Sequence, residues 1–541
     1  MSKPILGCLM RVSGDTSSEK AFKLAKRWLS SCLDKHERCR RQDDSNRENM
    51  PTRLVDVSPI YGDVRLVETR EMTSPAPYIC LSHCWGDASK QVTTTRLTLE
   101  ERKYGMAWDA LPQLFKDIIT SVRRLGVNYL WIDSLCIIQD DPEDWKQEST
   151  RMCIVYQNSL LTIAATKCAD SSESLFSKSS SALAFGISTL FRRPGMRAQN
   201  GQFSELHGHF RWPYPLLSRA WIYQERLLSK RVLHFGEGEI YWECMESAEC
   251  ECGLVARSSF GPLPESRFPY KNVHDRMPKR ITIVPEIVDM NVSQWHDIVT
   301  EYTSLSMTLI SDRLPAILGL AQEIQSHRDG RYIAGLWEDS LISDLAWAVS
   351  QYGVEKSRPF KSVTLAPSWS WASIGTGCFY SGSISSTEGL ERPSQLLSIQ
   401  YPDPSNFPTD PKALGCITLR GKLAPVLVSA FRKYPNSVEV ISAIGKSERK
   451  AYYRPDYDHS TNGEYYVPPN EIVYFLYLGS HSRVVREPLE TWFDLVLRCI
   501  DPSNQLYERI GSNYSGFDSS SEMQKAIQIY KECPEVVINL V

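Results

Sequence analysis

Apolar and polar positions along the chain alternate with two different periods, and the change from one to the other marks out its elements. Near the start, EKAFKLAKRWLSSCLDKHERC sets Phe22, Leu24, Ala25, Trp28, Leu29, Cys32 and Leu33 at helical spacing, and RRQDDSNREN after it reads as a polar linker. TRLVDVS and VRLVE predict two short strands, and YICLSHCWG a stronger one ending at Gly86. LPQLFKDIITSVRRLGV then repeats Leu111, Leu114, Phe115, Ile118, Ile119, Val122 and Leu125 at steps of three and four. Pro112 in its first turn and Gly126 as a stop make it the clearest helix of the chain. YLWID predicts a strand, and WKQESTRMCIVYQNS a helix with Trp145, Ser149, Met152 and Tyr156 on one face. Asp141 and Pro142 suit its cap and first position, and LLTIAAT returns as a third strand.

Strands joined by helical crossovers of this length pair in parallel through right-handed connections, so the pattern predicts an α/β fold with a doubly wound parallel sheet. A Ser-rich insert at about 169–212 precedes the helix LLSRAWIYQERLLS and the strands KRVLHFG and EIYWEC. Residues 285–350 read as helical in three stretches, the last being GLWEDSLISDLAWAVS. Past the Pro- and Ser-rich stretches SSTEGLERPSQ and YPDPSNFPTDP, four strand-like runs predict a β-rich C-terminal module. The expected division is an N-terminal helix and linker (1–50), the α/β domain (51–255), a helical extension completing its core (256–375) and the β-rich module (376–541).

With 541 residues the chain is long enough for two or three domains, and no internal repeat argues for a solenoid. A net charge of −3 leaves no field to attract nucleic acid or an anionic membrane. No apolar run reaches the roughly 18 residues a membrane span needs. The 15 cysteines are scattered through buried-looking runs behind an N-terminus with no secretory pattern, which predicts reduced thiols and a cytoplasmic location.

Candidate chemistry gathers at strand exits. Asp133, Ser134, Cys136, Gln139, Asp140 and Asp141 follow YLWID, at the edge where open α/β sheets place their ligands. Other motifs are weak. IGKSE has Val440 where a phosphate loop needs its first glycine, and it reads as a turn. Cys32, His36 and Cys39, like Cys244, Cys250 and Cys252, lack the paired spacing of zinc sites and read as core and loop thiols, so no metal is expected. Ser82 and His83 are adjacent, which is poor geometry for a nucleophile and its base.

Three blocks in order, YICLSHCWGD, LGVNYLWIDSLCIIQDDPEDWKQESTRMCIVYQNSLLTIAA and LLSRAWIYQERLLSKRVLHFGEGEIYWEC, strongly resemble the fungal heterokaryon incompatibility (HET) domain. WLSSCLDKHERC, PTRLVDV, LWEDSLISDLAW and APSWSWASI extend the resemblance over about 20–375, with LYERIG its best point in the tail. The resemblance implies a role in non-self recognition and regulated cell death. More remotely the domain is similar to TIR domains, a flavodoxin-like fold of immune signalling and of enzymes that cleave NAD. On that likeness SRAWIYQERL matches the TIR pattern Ser-x-x-Trp-Cys-x-x-Glu-Leu, which implies Glu225 as the catalytic carboxylate and Trp221, one turn before it, as an aromatic platform. Ser82, His83, Asp133, Ser134, Cys136 and Arg219 are the implied substrate-binding residues, with NAD as substrate and no cofactor. Ile222 stands at the pattern's cysteine, and Arg226 intervenes before Leu227.

Each residue has a plainer reading. Glu225 can be a solvated or Arg-paired helix acid, Trp221 core packing, Asp133 a turn cap, His83 a hydrogen-bonded core imidazole, Arg219 a surface ion pair, and Glu148 a cap or helix-surface acid. Two rival functions stand beside the NAD-cleaving effector. One is a non-enzymatic module that self-associates or recruits other incompatibility or immune-signalling proteins; it would leave Glu225 exposed. The other is a small-molecule enzyme of fungal secondary metabolism, which calls for a deeper apolar pocket.

Overall fold

The computed structural model describes residues 12–40, 49–59, 63–87, 91–179, 214–251, 285–325, 328–350, 366–380, 394–401, 415–432, 437–442, 450–457, 466–485, 487–516 and 520–541. The chain divides into two compact units, Met1–Asp275 with Pro315–Leu320, and Arg276–Leu314 with Ala321–Val541. The second unit thus takes most of the 256–375 stretch that the sequence assigns to the first. The insert beyond residue 179, Cys252 and IGKSE lie outside the described residues.

In the first unit, helix α1 (Glu19–Lys35) is capped by Ser18, whose hydroxyl accepts from Ala21 N. It buries Phe22, Ala25, Trp28, Leu29 and Cys32, while Leu33 falls off the stripe and is exposed. Strands β1 (Arg53–Asp56), β2 (Arg65–Glu68) and β3 (Tyr78–Ser82) follow, then helices α2 (Leu99–Tyr104) and α3 (Gln113–Leu125). Next come β4 (Tyr129–Trp131), the single turn α4 (Asp133–Cys136), α5 (Pro142–Asn158), β5 (Leu161–Ala164) and α6 (Ala220–Leu228). Strands β6 (Arg231–Phe235), β7 (Ile240–Cys244) and β8 (Ala248–Cys250) complete the unit.

These eight strands form one sheet in the order β2-β1-β4-β3-β5-β6-β7-β8. Its four central strands β4, β3, β5 and β6 are parallel, as the helical crossovers require. The expected parallel sheet stops there: β1, β2, β7 and β8 are added antiparallel, so the sheet is mixed. Short connections such as the one between β6 and β7 have no room for a crossover and make hairpins instead. After β3 the chain moves to β4 on one side, and then returns past β3 to β5 on the other. This reversal is a topological switch point, and the carboxyl ends of β3 and β5 beside it are where open α/β sheets place their ligands.

Local chemistry explains the element ends. Gly126 closes α3 in the left-handed region at φ 82°. Pro112 is the cap residue of α3, just before the first turn in which the pattern places it. Asp141 caps α5 by accepting from Glu143 N and Asp144 N, and Pro142 takes the first helical position. The buried face of α5 is Glu148, Met152, Cys153, Val155 and Tyr156; Trp145, expected on it, is exposed. β3 ends at Ser82 and not at Gly86, because the chain turns there: Gly86 has φ +69°, and a Cβ on it would meet Asp170 Cβ at 2.1 Å.

In the second unit, α7 (Pro285–Thr303) packs its C-terminal half against the antiparallel pair of β9 (Trp347–Val349) and β10 (Cys378–Tyr380). His296 stacks on Tyr380 at 3.7 Å and donates its Nε2–H to Asp344 Oδ1 at 2.8 Å, and Thr303 Oγ1 donates to Cys378 O. The third predicted helix, GLWEDSLISDLAWAVS, is instead two short strands (Leu336–Trp337, Trp347–Val349) around a single turn, Leu341–Asp344. Its apolar run is buried on every side, and such a run does not reveal its period. Gly335, at φ +92°, carries a carbonyl that accepts from both Trp295 Nε1 and Trp371 Nε1.

The β-rich module is a second mixed sheet built on long antiparallel strands, among them Cys416–Arg432, Ile472–Val485, Glu487–Asp501 and Leu506–Gly516. A helix, Ser520–Glu532, and a last strand, Glu535–Leu540, were not foreseen. Buried Arg509 ties this unit together. It pairs with Asp456 at 2.8 Å, donates to Leu345 O and Trp347 O, and lies 3.3 Å over the Trp347 ring.

Candidate functional site

The switch point collects residues from four elements. Ser82 ends β3 and His83 follows it; Asp133 and Ser134 begin α4 after β4; Tyr156 projects from α5; Arg219 and Glu225 come with α6. Ser82, His83, Ser134 and Glu225 are all buried, with Glu225 only 4 % exposed. Cys136 is also buried, and burial pushes its thiol up to about 12, so it packs as a neutral core group. Trp221 is half-buried, one turn before Glu225 on the same helix.

Asp133 is fixed on two sides, accepting from Trp85 Nε1 at 2.7 Å and from Ser134 N at 2.8 Å. His83 Nδ1 stands 3.7 Å from Asp133 Oδ1, beyond hydrogen-bond reach, and finds no hydrogen-bond partner among the described residues. The ring packs edge-on against Phe115 at 5.6 Å. Burial lowers the imidazole pKa, Asp133 opposes that, and Arg219 adds to it. The ring is therefore a neutral imidazole at neutral pH. Arg219 Nη1 donates to His83 O at 3.0 Å, which leaves most of its guanidinium donors for other partners.

Glu225 is the most perturbed acid of the group. Burial, and after it the charge of Asp133, raise its carboxyl to about 7. The hydroxyls of Ser82 and Tyr156 and the charge of Arg219 pull the other way. Even so, Glu225 Oε2 is fully enclosed and makes no hydrogen bond among the described residues. Neighbouring Arg226 does not compensate it. Its guanidinium takes Glu243 in a two-pronged bond at 2.6 and 2.9 Å, and His234 Nε2 adds a third contact at 2.9 Å. Burial would raise Glu243, but Arg226 and His234 together hold it well below the usual carboxylate range.

The acids downstream of Asp133 serve the backbone instead. Asp140 accepts from Arg96 N, Asp141 caps α5 and pairs with Arg96, and Asp144 accepts from Ile138 N and pairs with Arg53. The acidic cluster is thus mostly loop architecture, and Asp133 is the member that stands beside His83. Glu148, expected on the helix surface, is buried and accepts from Thr52 Oγ1. Trp85 and Tyr156 are site residues that sequence reasoning passed over. Trp85 sits in a turn within YICLSHCWG, a run whose pattern reads as strand, and Tyr156 falls on the buried face of α5.

The thiols hold a second surprise. Cys32, His36, Cys39 and Cys244, expected as separate core and loop groups, bring their ligand atoms within 4.8 Å of one another.

A doubly wound core with buried polar side chains converging on its switch point defines an α/β protein with a candidate small-molecule site. Residues 78–225 match the family model described as heterokaryon incompatibility protein (HET), so this stretch is a HET domain, of the family associated with heterokaryon incompatibility. The match opens on the first residue of β3 and closes on Glu225. None of the curated proteins and none of the solved structures compared with the chain matches it. No helix among the described residues is long and apolar enough to cross a membrane.

Proposed function

We propose that the protein is a HET-domain effector of fungal non-self recognition whose α/β unit cleaves NAD, with Glu225 as the working carboxyl. The observation that carries this reading is a contrast between two buried acids, Glu225 on α6 and Glu243 on β7. Glu243, beside Arg226 and His234, has every partner a buried carboxylate needs, whereas Glu225 is enclosed, with Oε2 unbonded among the described residues and its carboxyl raised to about 7. A carboxyl kept in that state costs stability, and such costs concentrate at functional sites.

An enclosed acid on which Arg219 acts through its charge, and whose Oε2 has no hydrogen bond among the described residues, favours a ligand that brings a positive charge. The pyridinium of NAD carries a positive charge, and the charge passes to the ribose as the C1′–N bond breaks. The bonding electron pair leaves with nicotinamide as a neutral base. Ionised Glu225 would stabilise the oxocarbenium-like ribose, and water adding at C1′ gives ADP-ribose and releases one proton. Arg219, at the start of α6, offers spare guanidinium donors to the pyrophosphate. Trp221 offers a ring face on the same side of the helix. The burial of Glu225 speaks against the adaptor reading, which leaves that residue exposed.

The test is nicotinamide release from NAD by the purified chain, dilute and under crowding, set beside Glu225→Gln and Arg219→Ala. The reading expects release by the wild type, loss of at least about a hundredfold in Glu225→Gln, and a raised KM in Arg219→Ala. No release under any condition would move the weight to a binding module.

A further inference from the structure

Three of the four clustered ligands come from one short stretch. Cys32 lies in the last turn of α1; His36 is its C-cap residue, leaving the helix in an extended conformation; Cys39 ends the 3-10 turn Glu37–Cys39. The fourth, Cys244, is the last residue of β7. His36 Nδ1 stands 3.2 Å from Cys244 Sγ. Around a tetrahedral zinc with Zn–S of about 2.3 Å, neighbouring sulfurs sit about 3.8 Å apart. A set already gathered within 4.8 Å needs only small side-chain adjustments to reach that geometry.

The surroundings suit bound thiolates. Ser247 N donates to Cys244 Sγ at 3.3 Å, and Cys244 N donates to Ser247 O at 2.8 Å, so the turn after β7 wraps its amide onto the sulfur. Arg231, fully buried, donates Nε to Cys32 Sγ at 3.2 Å, and its other described partners are the carbonyls of Cys39 and Leu160. A buried guanidinium calls for a counter-charge, and none of these partners is a carboxylate. Three thiolates, one dication and Arg231 sum to zero. A disulfide would use two sulfurs, leave the third beside His36, and supply no negative charge to Arg231.

We propose that Cys32, His36, Cys39 and Cys244 form a closed structural site for a zinc-class divalent ion, which clamps α1 and the turn after it to the end of β7. With three sulfurs and one imidazole nitrogen the tetrahedron is full, so the ion has no open position for water or substrate. Its role is mechanical. β7 also carries Glu243, the partner of Arg226 on α6, so the clamp steadies the strand against which the candidate site's helix packs.

Metal content and X-ray absorption of the full chain, purified without chelator, test this. The expected result is about one zinc per chain with three sulfurs and one nitrogen in its shell. Cys39→Ser and Cys244→Ser should lose the ion, while His36→Cys and the control Cys250→Ser keep it. A strong chelator should lower the thermal midpoint of the wild type. Should the serine variants fail to fold, cobalt titration of the stripped wild type decides, with thiolate-to-cobalt absorption expected at one equivalent. The proposal is overturned by a metal-free chain that neither takes up cobalt nor responds to chelator, or by a disulfide within the cluster.

Discussion

Arg226 holds Glu243 through two hydrogen bonds at 2.6 and 2.9 Å, and the cation that acts on its own chain neighbour, Glu225, is Arg219, through its charge. Arg226 and Glu225 part ways because helical geometry points consecutive side chains about 100° apart. Arg226 faces β7, while Glu225 turns toward Ser82 and Tyr156.

Removing that arginine strands Glu243. Arg226→Ala is expected to destabilise the first unit by about 3 kcal/mol, since the loss of one partner leaves a buried charge uncompensated. Urea unfolding of the variant would measure it, and a change under about 0.5 kcal/mol would mean His234 alone satisfies Glu243.

The pH dependence of stability should carry Glu225's signature. Its carboxyl is raised from 4.5 to about 7 in the fold, so the folded state holds a proton that the unfolded state releases. The contribution of Glu225 to stability is therefore fully present below pH 4.5 and is lost as pH rises through 7, by about 3 kcal/mol in all. Glu225→Gln should abolish this fall, matching the wild type at low pH and exceeding it at pH 8. Thermal midpoints of both proteins across this range, with unchanged differences at every pH, would contradict it.

Asp133 is the second cause of that shift, after burial. In Asp133→Asn the midpoint of the same pH transition should move to lower pH, because a like charge has gone. An unmoved midpoint would show that the two acids do not sense each other.

Gly86 is bound by space and by backbone together. Gly86→Ala would set a Cβ against Asp170 at φ +69°, and is expected to cost about 2 kcal/mol or more, read as a lower denaturant midpoint. A neutral substitution would mean that the turn after β3 relaxes freely.

Much of the first unit was legible in the chain. α3 could be read because seven apolar residues repeat at helical steps and Gly126 ends them, and the parallel core followed from crossover length. Ser82, His83, Asp133, Ser134 and Glu225 come close to one another in space, because strand ends of a wound sheet converge wherever the order reverses. What stayed hidden depends on contacts between distant segments. Nothing near Arg226 says that its partner is Glu243 on β7, nor does Cys32 announce Cys244, and the zinc-like spacing is broken between two far parts of the chain. The strand Trp347–Val349 read as helix because burial on all faces erases the period.

The central claim is that Glu225 is kept for function at a cost to the fold. The measurement that meets it directly is thermal midpoint and nicotinamide release from NAD, taken together at pH 8 on the wild type and Glu225→Gln. The account predicts a variant that melts higher and releases no nicotinamide. A variant that melts lower while keeping full release would contradict it, and would make Glu225 a structural acid.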